Sequence, residues 1–231
     1  MTGVQTCALP IYLFKYFKVL EILEDNQENL IDSILTNVEN LSGSFAKISE
    51  NQEFDNELSK SLNADLSIEN NIAKKAIKYA YKESLKETDR QTYQAMEALI
   101  HNLNTMHSRA GAQVPFSSLN FGTDISEEGR MVSKNLLLAT EAGLGNGETA
   151  IFPISIFKVK EGINFNPGDP NYDLFKLSCK VSAKRLFPNF CFLDAPFNAQ
   201  YYKTGQPETE ATYMGCRTRV IGNVCGEETV N

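Results

Sequence analysis

Five cysteines are spread through 231 residues, at positions 7, 179, 191, 216 and 225, and no two form a CxxC pair. That spacing gives neither a zinc knuckle nor an evident disulfide framework, so reduced thiols and a cytoplasmic setting are expected. Cys216 has the most unusual surroundings, in the run Tyr213-Met214-Gly215-Cys216-Arg217-Thr218-Arg219. A flexible glycine and an always-charged guanidinium bracket it, which suits a loop tip projecting into a cavity. Two readings of the residues stand side by side. One is an ordinary half-buried cysteine, the commonest fate of a lone thiol. The other is a thiolate made acidic by Arg217. The second lacks a base nearby, because the chain's two histidines are His101 and His107. Periodicity alone favours the first. Without a cysteine or carboxylate cluster beside them, the same histidines make a poor metal site, and no metal is expected on them. Cys179 falls on a predicted helix and Cys191 in a predicted strand, both read as small core residues.

Other candidates lie upstream. In His107-Ser108-Arg109-Ala110-Gly111-Ala112-Gln113, Gly111 supplies flexibility, and Arg109 and Gln113 offer donors for a base or phosphate. The plainer reading is a helix end with a surface arginine. Ser117, Ser118 and Asn120 stand where a predicted strand turns polar. Their side chains can line a substrate pocket or hydrogen-bond to backbone, and the residues do not choose between the two. Gly143-Leu144-Gly145-Asn146-Gly147 lacks the Lys-Ser/Thr ending of a phosphate loop and reads as a helix stop.

The elements that must hold these residues follow from patterning. Tyr12–Ile48 is helical in period, with breaks at Asn26 and at Ser42-Gly43. Asn51–Leu66 is polar and reads as a loop or short exposed helix. Ile68–Tyr81 regains an apolar stripe. Thr88–Met106, capped by Asp89, carries Tyr93, Met96, Ile100, Leu103 and Met106 on one face. Val114–Phe121 reads as a strand. Ser126–Ala142 is a helix with Ser126 as cap and Glu127 and Glu128 in its first turn. Ala150–Val159 is a nearly continuous apolar run, as in a strand covered on both faces. Asn171–Phe187 is a helix with Asp169 as cap, and Phe190–Leu193 a short strand. Strand, helix, strand, helix, strand implies βαβ units and a parallel sheet. The domain boundary is expected near Leu85, between a helical region at 12–84 and an α/β region at 85–231.

An apolar fraction of 42% supports a real core, and the net charge is −7. An acidic chain with pI near 5.0 is a poor general binder of nucleic acid or anionic membrane. The longest apolar run, near Ile151–Phe157, is too short to span a bilayer. Met1–Ile11 has no signal-peptide pattern. It resembles the translation of a sequencing-library adapter, and is read as a non-native leader.

Several strings together resemble the anaerobic (class III) ribonucleoside-triphosphate reductases, a glycyl radical enzyme family. They are Gln94-Ala95-Met96-Glu97-Ala98, the long run from Asn102 through His107-Ser108-Arg109-Ala110-Gly111-Ala112-Gln113 to Ser118, Asn120-Phe121-Gly122-Thr123, and Glu128-Gly129-Arg130-Met131-Val132. Pro167-Gly168-Asp169-Pro170-Asn171-Tyr172-Asp173-Leu174-Phe175 and Met214-Gly215-Cys216-Arg217-Thr218 complete the set. One alone is weak; their order over more than half the chain is specific.

The resemblance implies an incomplete ten-stranded α/β barrel, with a finger loop at 213–219 and Cys216 as the residue that becomes a thiyl radical. It implies substrate contacts from Ser117, Ser118, Asn120, Met214 and Gly215. It implies an effector or specificity loop at His107, Ser108, Arg109, Gly111 and Gln113. The reaction implied is reduction of ribonucleoside triphosphates for DNA precursor synthesis, with formate as reductant and ATP and deoxynucleotide effectors. A glycyl radical and a four-cysteine zinc site are expected in a C-terminal segment beyond Asn231, and a second active-site cysteine upstream of Tyr12. The implied partners are a radical-SAM iron–sulfur activating enzyme and a second copy in a homodimer, with no nucleic acid or membrane. The isolated chain is expected to be inactive. Two rivals remain. A formate-lyase type of glycyl radical enzyme usually shows two adjacent cysteines at the finger, whereas Cys216 stands alone. A non-catalytic helical or nucleotide-binding module is the other.

Overall fold

The structure, a computed structural model, describes residues 2–24, 27–42, 52–106, 113–215 and 218–220. It divides into two compact units, Met1–Gln91 and Thr92–Asn231. The division falls a few residues beyond the Leu85 boundary read from composition, because the predicted break there is absent. The helices expected at 68–81 and 88–106 are one helix, α4, Asn70–Thr105. Asp89 therefore lies inside a helix and does not cap one.

The first unit is helical. It contains α1 (Thr2–Val19), α2 (Glu28–Ser42), α3 (Gln52–Leu66) and the first part of α4. Helix α1 takes in most of the segment read as a leader, and Leu9 is buried within it. Asn26 and Gly43, the proposed breaks, lie outside the described residues. Of the two alternatives at 51–66, a loop or a short exposed helix, the chain forms a helix, α3, which is longer and more buried than expected. Its composition is polar, yet Phe54, Leu58 and Leu62 recur every four residues and are fully buried. Three apolar side chains on one stripe are enough to seat a helix, whatever the other faces carry. They pack with Leu13, Phe17, Val38, Ala73, Ala76 and Ala80. Leu58→Ala is expected to cost about 2–5 kcal/mol, the usual range for a buried leucine. Urea denaturation followed by circular dichroism measures it.

The second unit is built on the alternation expected. Strands β1 (Ser118–Phe121), β2 (Ile154–Val159) and β3 (Asn189–Phe192) form a parallel sheet in the order β1-β2-β3. Helix α5 (Glu127–Ala142) joins the first two strands and α6 (Tyr172–Arg185) the second pair. The Ser126 hydroxyl caps α5 by accepting the Gly129 N–H at 3.0 Å. Asp169 does not cap α6. Its carboxylate takes the Asn166 N–H at 2.8 Å and closes a turn, while Asn171 occupies the cap position. A short helix α7 (Pro196–Ala199) follows β3, and an antiparallel hairpin, β4 (Thr212–Met214) and β5 (Thr218–Val220), ends the described chain.

Strand alternation sorts the side chains. Phe157 and Val159 pack with Leu137 of α5 and Leu174 and Val181 of α6. Ile154 and Ile156 point the other way and pack with Cys191, Leu193, Ala211 and Tyr213. The sheet thus has one face covered by helices and one face carrying the hairpin.

Candidate functional site

The hairpin β4–β5 brackets Cys216. Met214 pairs with Thr218 across it; Cys216 and Arg217 themselves lie outside the described residues. The residues next to them are held by the sheet. Ser118 and Asn120 alternate with Leu119 and Phe121 along β1, so both face the hairpin. The Asn120 amide donates to the Tyr213 carbonyl at 2.8 Å, and its oxygen accepts the Tyr213 N–H at 3.0 Å. One side chain thereby satisfies both backbone groups of a β4 residue. The Gly215 N–H donates to the Ser118 hydroxyl at 3.3 Å. Ser117, on the other face, donates locally to the Pro115 carbonyl at 3.4 Å.

Gly215 has φ +63°, and a Cβ added there meets the Phe116 ring at 3.3 Å. The left-handed conformation costs a side-chain-bearing residue about 1–2 kcal/mol. Gly215→Ala is therefore expected to shift the hairpin off its seat, read as a lower Tm of the protein.

The other strand and the base of the hairpin are tied to α7. The Tyr213 hydroxyl donates to the Asn198 amide oxygen at 3.1 Å, and the Asn198 amide donates to the Phe192 carbonyl at 2.8 Å. Arg219 donates to the Phe197 carbonyl and lies 5.0 Å from the Tyr201 ring centroid. Beneath the hairpin, the Lys158 ammonium meets Glu210 at 2.8 Å. Cys191 sits in register beside Lys158, and burial pushes its thiol pKa up, so it stays protonated and inert at neutral pH.

Of the residues singled out from sequence, Ser118, Asn120, Met214 and Gly215 come together around the hairpin. Gln113 is described and exposed. His107, Ser108, Arg109 and Gly111 lie outside the described residues, as does Cys225. Three residues of this site were missed: Lys158, Asn198 and Glu210. Lys158 had a visible signal, a single charge inside an apolar run. Among the described residues no three or more His, Cys, Asp or Glu side chains gather as a metal site, and no described helix is long and apolar enough to cross a membrane.

Several of the resembling strings prove to be loop fasteners. Arg130 donates to Asn171 at 2.6 Å and to Asp173 at 2.8 Å, and also bonds the Pro170 carbonyl. Fully buried Asn171 donates to the carbonyls of Gly122 and Asp124 at 3.1 and 2.7 Å. Gly129 is packed so closely on Asp124 that an added Cβ lies 2.2 Å from its carboxyl. Asn104 joins the end of α4 to the approach of β2 through the Ile151 N–H and the Phe152 N–H and carbonyl. These contacts fix the loops around the sheet ends that carry the hairpin's partners.

The family profile described as anaerobic ribonucleoside-triphosphate reductase matches residues 21–231. The reductase of that name from Escherichia coli (strain K12) is 36% identical over 132 residues, which is 57% of this chain and 17% of that protein. The Salmonella typhimurium protein gives the same figures. The protein of that name from enterobacteria phage T4 is 35% identical over 132 residues, 57% of this chain and 21% of its own length. The chain thus spans about a fifth of the length of the curated relatives it matches.

Proposed function

The chain belongs to the anaerobic ribonucleoside-triphosphate reductase family, and on that premise we propose that Cys216 is the residue on which nucleotide reduction turns. In this reading the full-length protein converts ribonucleoside triphosphates to deoxyribonucleoside triphosphates, and the hairpin β4–β5 is the finger loop of a ten-stranded barrel. The single observation that carries it is the seating of Tyr213 and Gly215, one on each side of Met214, by Asn120 and Ser118 of β1.

The chemistry explains why such a seat is needed. A thiyl radical at Cys216 takes the hydrogen from the ribose 3′ carbon, so an S–H bond forms and a carbon radical is left. The 2′ hydroxyl takes up a proton and leaves as water, formate supplies two electrons and leaves as carbon dioxide, and the Cys216 S–H returns its hydrogen to the 3′ carbon. The hydrogen moves only at near-contact distance, so the sulfur must be aimed and shielded from solvent. A hairpin whose backbone polar groups are consumed by neighbouring side chains has little freedom to wander. Ser118 and Asn120 keep capacity for substrate as well. The Ser118 hydroxyl accepts from Gly215 and still has its own proton to donate, and the Asn120 amide has a second N–H. Met214, two residues before Cys216 in sequence, is exposed and offers an apolar wall for the sugar. Ser117, on the other face and bonded to the Pro115 carbonyl, stands outside that set.

A glycyl radical would supply the unpaired electron that Cys216 carries. We place it, and the zinc site, in other parts of the reductase than this chain. The radical-SAM iron–sulfur activating enzyme, the homodimer, and ATP and deoxynucleotide effectors acting through His107–Gln113 belong to the same proposal, as does a cytoplasmic setting. The test is anaerobic turnover of the full-length protein with its activating enzyme, formate and labelled ribonucleoside triphosphates. Formation of deoxynucleotide is expected. A product that keeps its 2′ hydroxyl, under conditions where the radical signal is present, would overturn the reading.

A further inference from the structure

Lys158 stands within β2 at 8% exposure, on the face that carries the hairpin. Its ammonium meets one oxygen of Glu210 at 2.8 Å, and Lys160 meets the other at 3.5 Å. The Lys160 ammonium also lies 4.4 Å from the Tyr202 ring centroid. Glu210 precedes Ala211, which is 3% exposed and packed with Ile154, Ile156 and Tyr213. Ala211 leads directly into β4. The carboxylate is thus fastened at the root of the hairpin, while Asn120 and Ser118 hold it near the tip. An ion pair shielded this far gains little net stability over a well-packed apolar replacement, because desolvation offsets the Coulomb attraction. What it supplies is direction, since the ammonium and the carboxylate must lie at one distance from two separate elements.

We propose that Lys158 is a positioning residue, whose ion pair with Glu210 fixes the root of the β4–β5 hairpin on the sheet and so sets where Cys216 is presented. The consequence for turnover rests on Cys216 being the reacting residue; the consequence for its accessibility does not. Three variants of the full-length protein separate the possibilities: Lys158→Met, Lys158→Arg, and the double variant Lys158→Met with Glu210→Leu. Each is assayed for kcat and KM, for Tm, and for alkylation of the Cys216 peptide by iodoacetamide in the unactivated state.

Lys158→Met is expected to lower kcat about 10–100-fold with KM within about threefold, as for a reacting atom displaced by roughly 1 Å. Cys216 alkylation is expected to rise several-fold in the same variant. Lys158→Arg keeps a cation within reach and retains most turnover. The apolar double variant regains Tm but stays slow, with Cys216 still over-reactive. Recovery of kcat together with Tm in the double variant would overturn the proposal, because a merely structural pair predicts that result. Unchanged alkylation of Cys216 in Lys158→Met would overturn it independently. Wild-type protein that turns over no nucleotide would instead overturn the reductase reading, and the alkylation measurements would then decide the role of Lys158.

Discussion

Cys216→Ala in the full-length reductase is expected to abolish deoxynucleotide formation, by at least about 10⁴-fold in kcat, the scale seen when a residue that carries the bond change is removed. Cys216→Ser is expected to be equally dead, because an alcohol O–H bond is far stronger than a thiol S–H bond and the oxygen radical is out of reach. Nucleotide binding and Tm are expected to stay near the parent values in both variants. The contrast is Cys179→Ser. Cys179, expected from sequence in the core, is instead an exposed residue of α6, on the helical side of the sheet, and its replacement is expected to leave turnover intact. Anaerobic assays with labelled substrate measure the first result. Electron paramagnetic resonance adds a second readout: the stored radical should form in the Cys216 variants and persist when substrate is added. Turnover in Cys216→Ala would remove the reacting role from this residue altogether.

The order of elements in the second unit was readable because local rules sufficed. Ser126 with Glu127 and Glu128 announces the start of α5, and the observed cap is the Ser126 hydroxyl. The apolar run ending at Val159 announces a strand buried on both faces, and all six residues of β2 are buried. Helix α3 is only half legible, as a loop or a short exposed helix, because its polar average hides Phe54, Leu58 and Leu62, which matter only through their spacing. The site was less readable than the fold. Asn120 reaches Tyr213 and Ser118 reaches Gly215 across more than ninety residues of sequence, and no window of local pattern records such a pairing. Their residue types suit pocket lining and backbone contact alike, and the structure shows the backbone contacts. Lys158 was legible as an anomaly, a charge amid Ile154, Ile156 and Phe157. Its meaning depended on Glu210, more than fifty residues on.

Asn120 carries the second large effect, and its chemistry allows a test of direction as well as size. Its amide offers one acceptor and one donor to the same residue, Tyr213. Asn120→Ala leaves a backbone N–H and carbonyl without those partners, at a cost of about 1–3 kcal/mol for each group that stays shielded. Relaxation of β4 to find water is the way out, and a shift of roughly 1 Å at the reacting sulfur corresponds to about a 10²-fold fall in kcat. Asn120→Asp is the sharper variant. At neutral pH the carboxylate still accepts the Tyr213 N–H, but its other oxygen faces the Tyr213 carbonyl, acceptor against acceptor. That repulsion favours the protonated acid, whose O–H donates to the carbonyl as the amide did. Turnover of Asn120→Asp, expressed relative to the parent protein at each pH, is therefore expected to climb as the pH is lowered through the carboxyl titration. Asn120→Ala, with nothing to titrate, should keep a constant ratio to the parent. Parallel pH profiles for the two variants would show that Asn120 does not act through Tyr213. A profile that rises only in Asn120→Asp would tie the rate to one hydrogen bond on the strand that leads to Cys216.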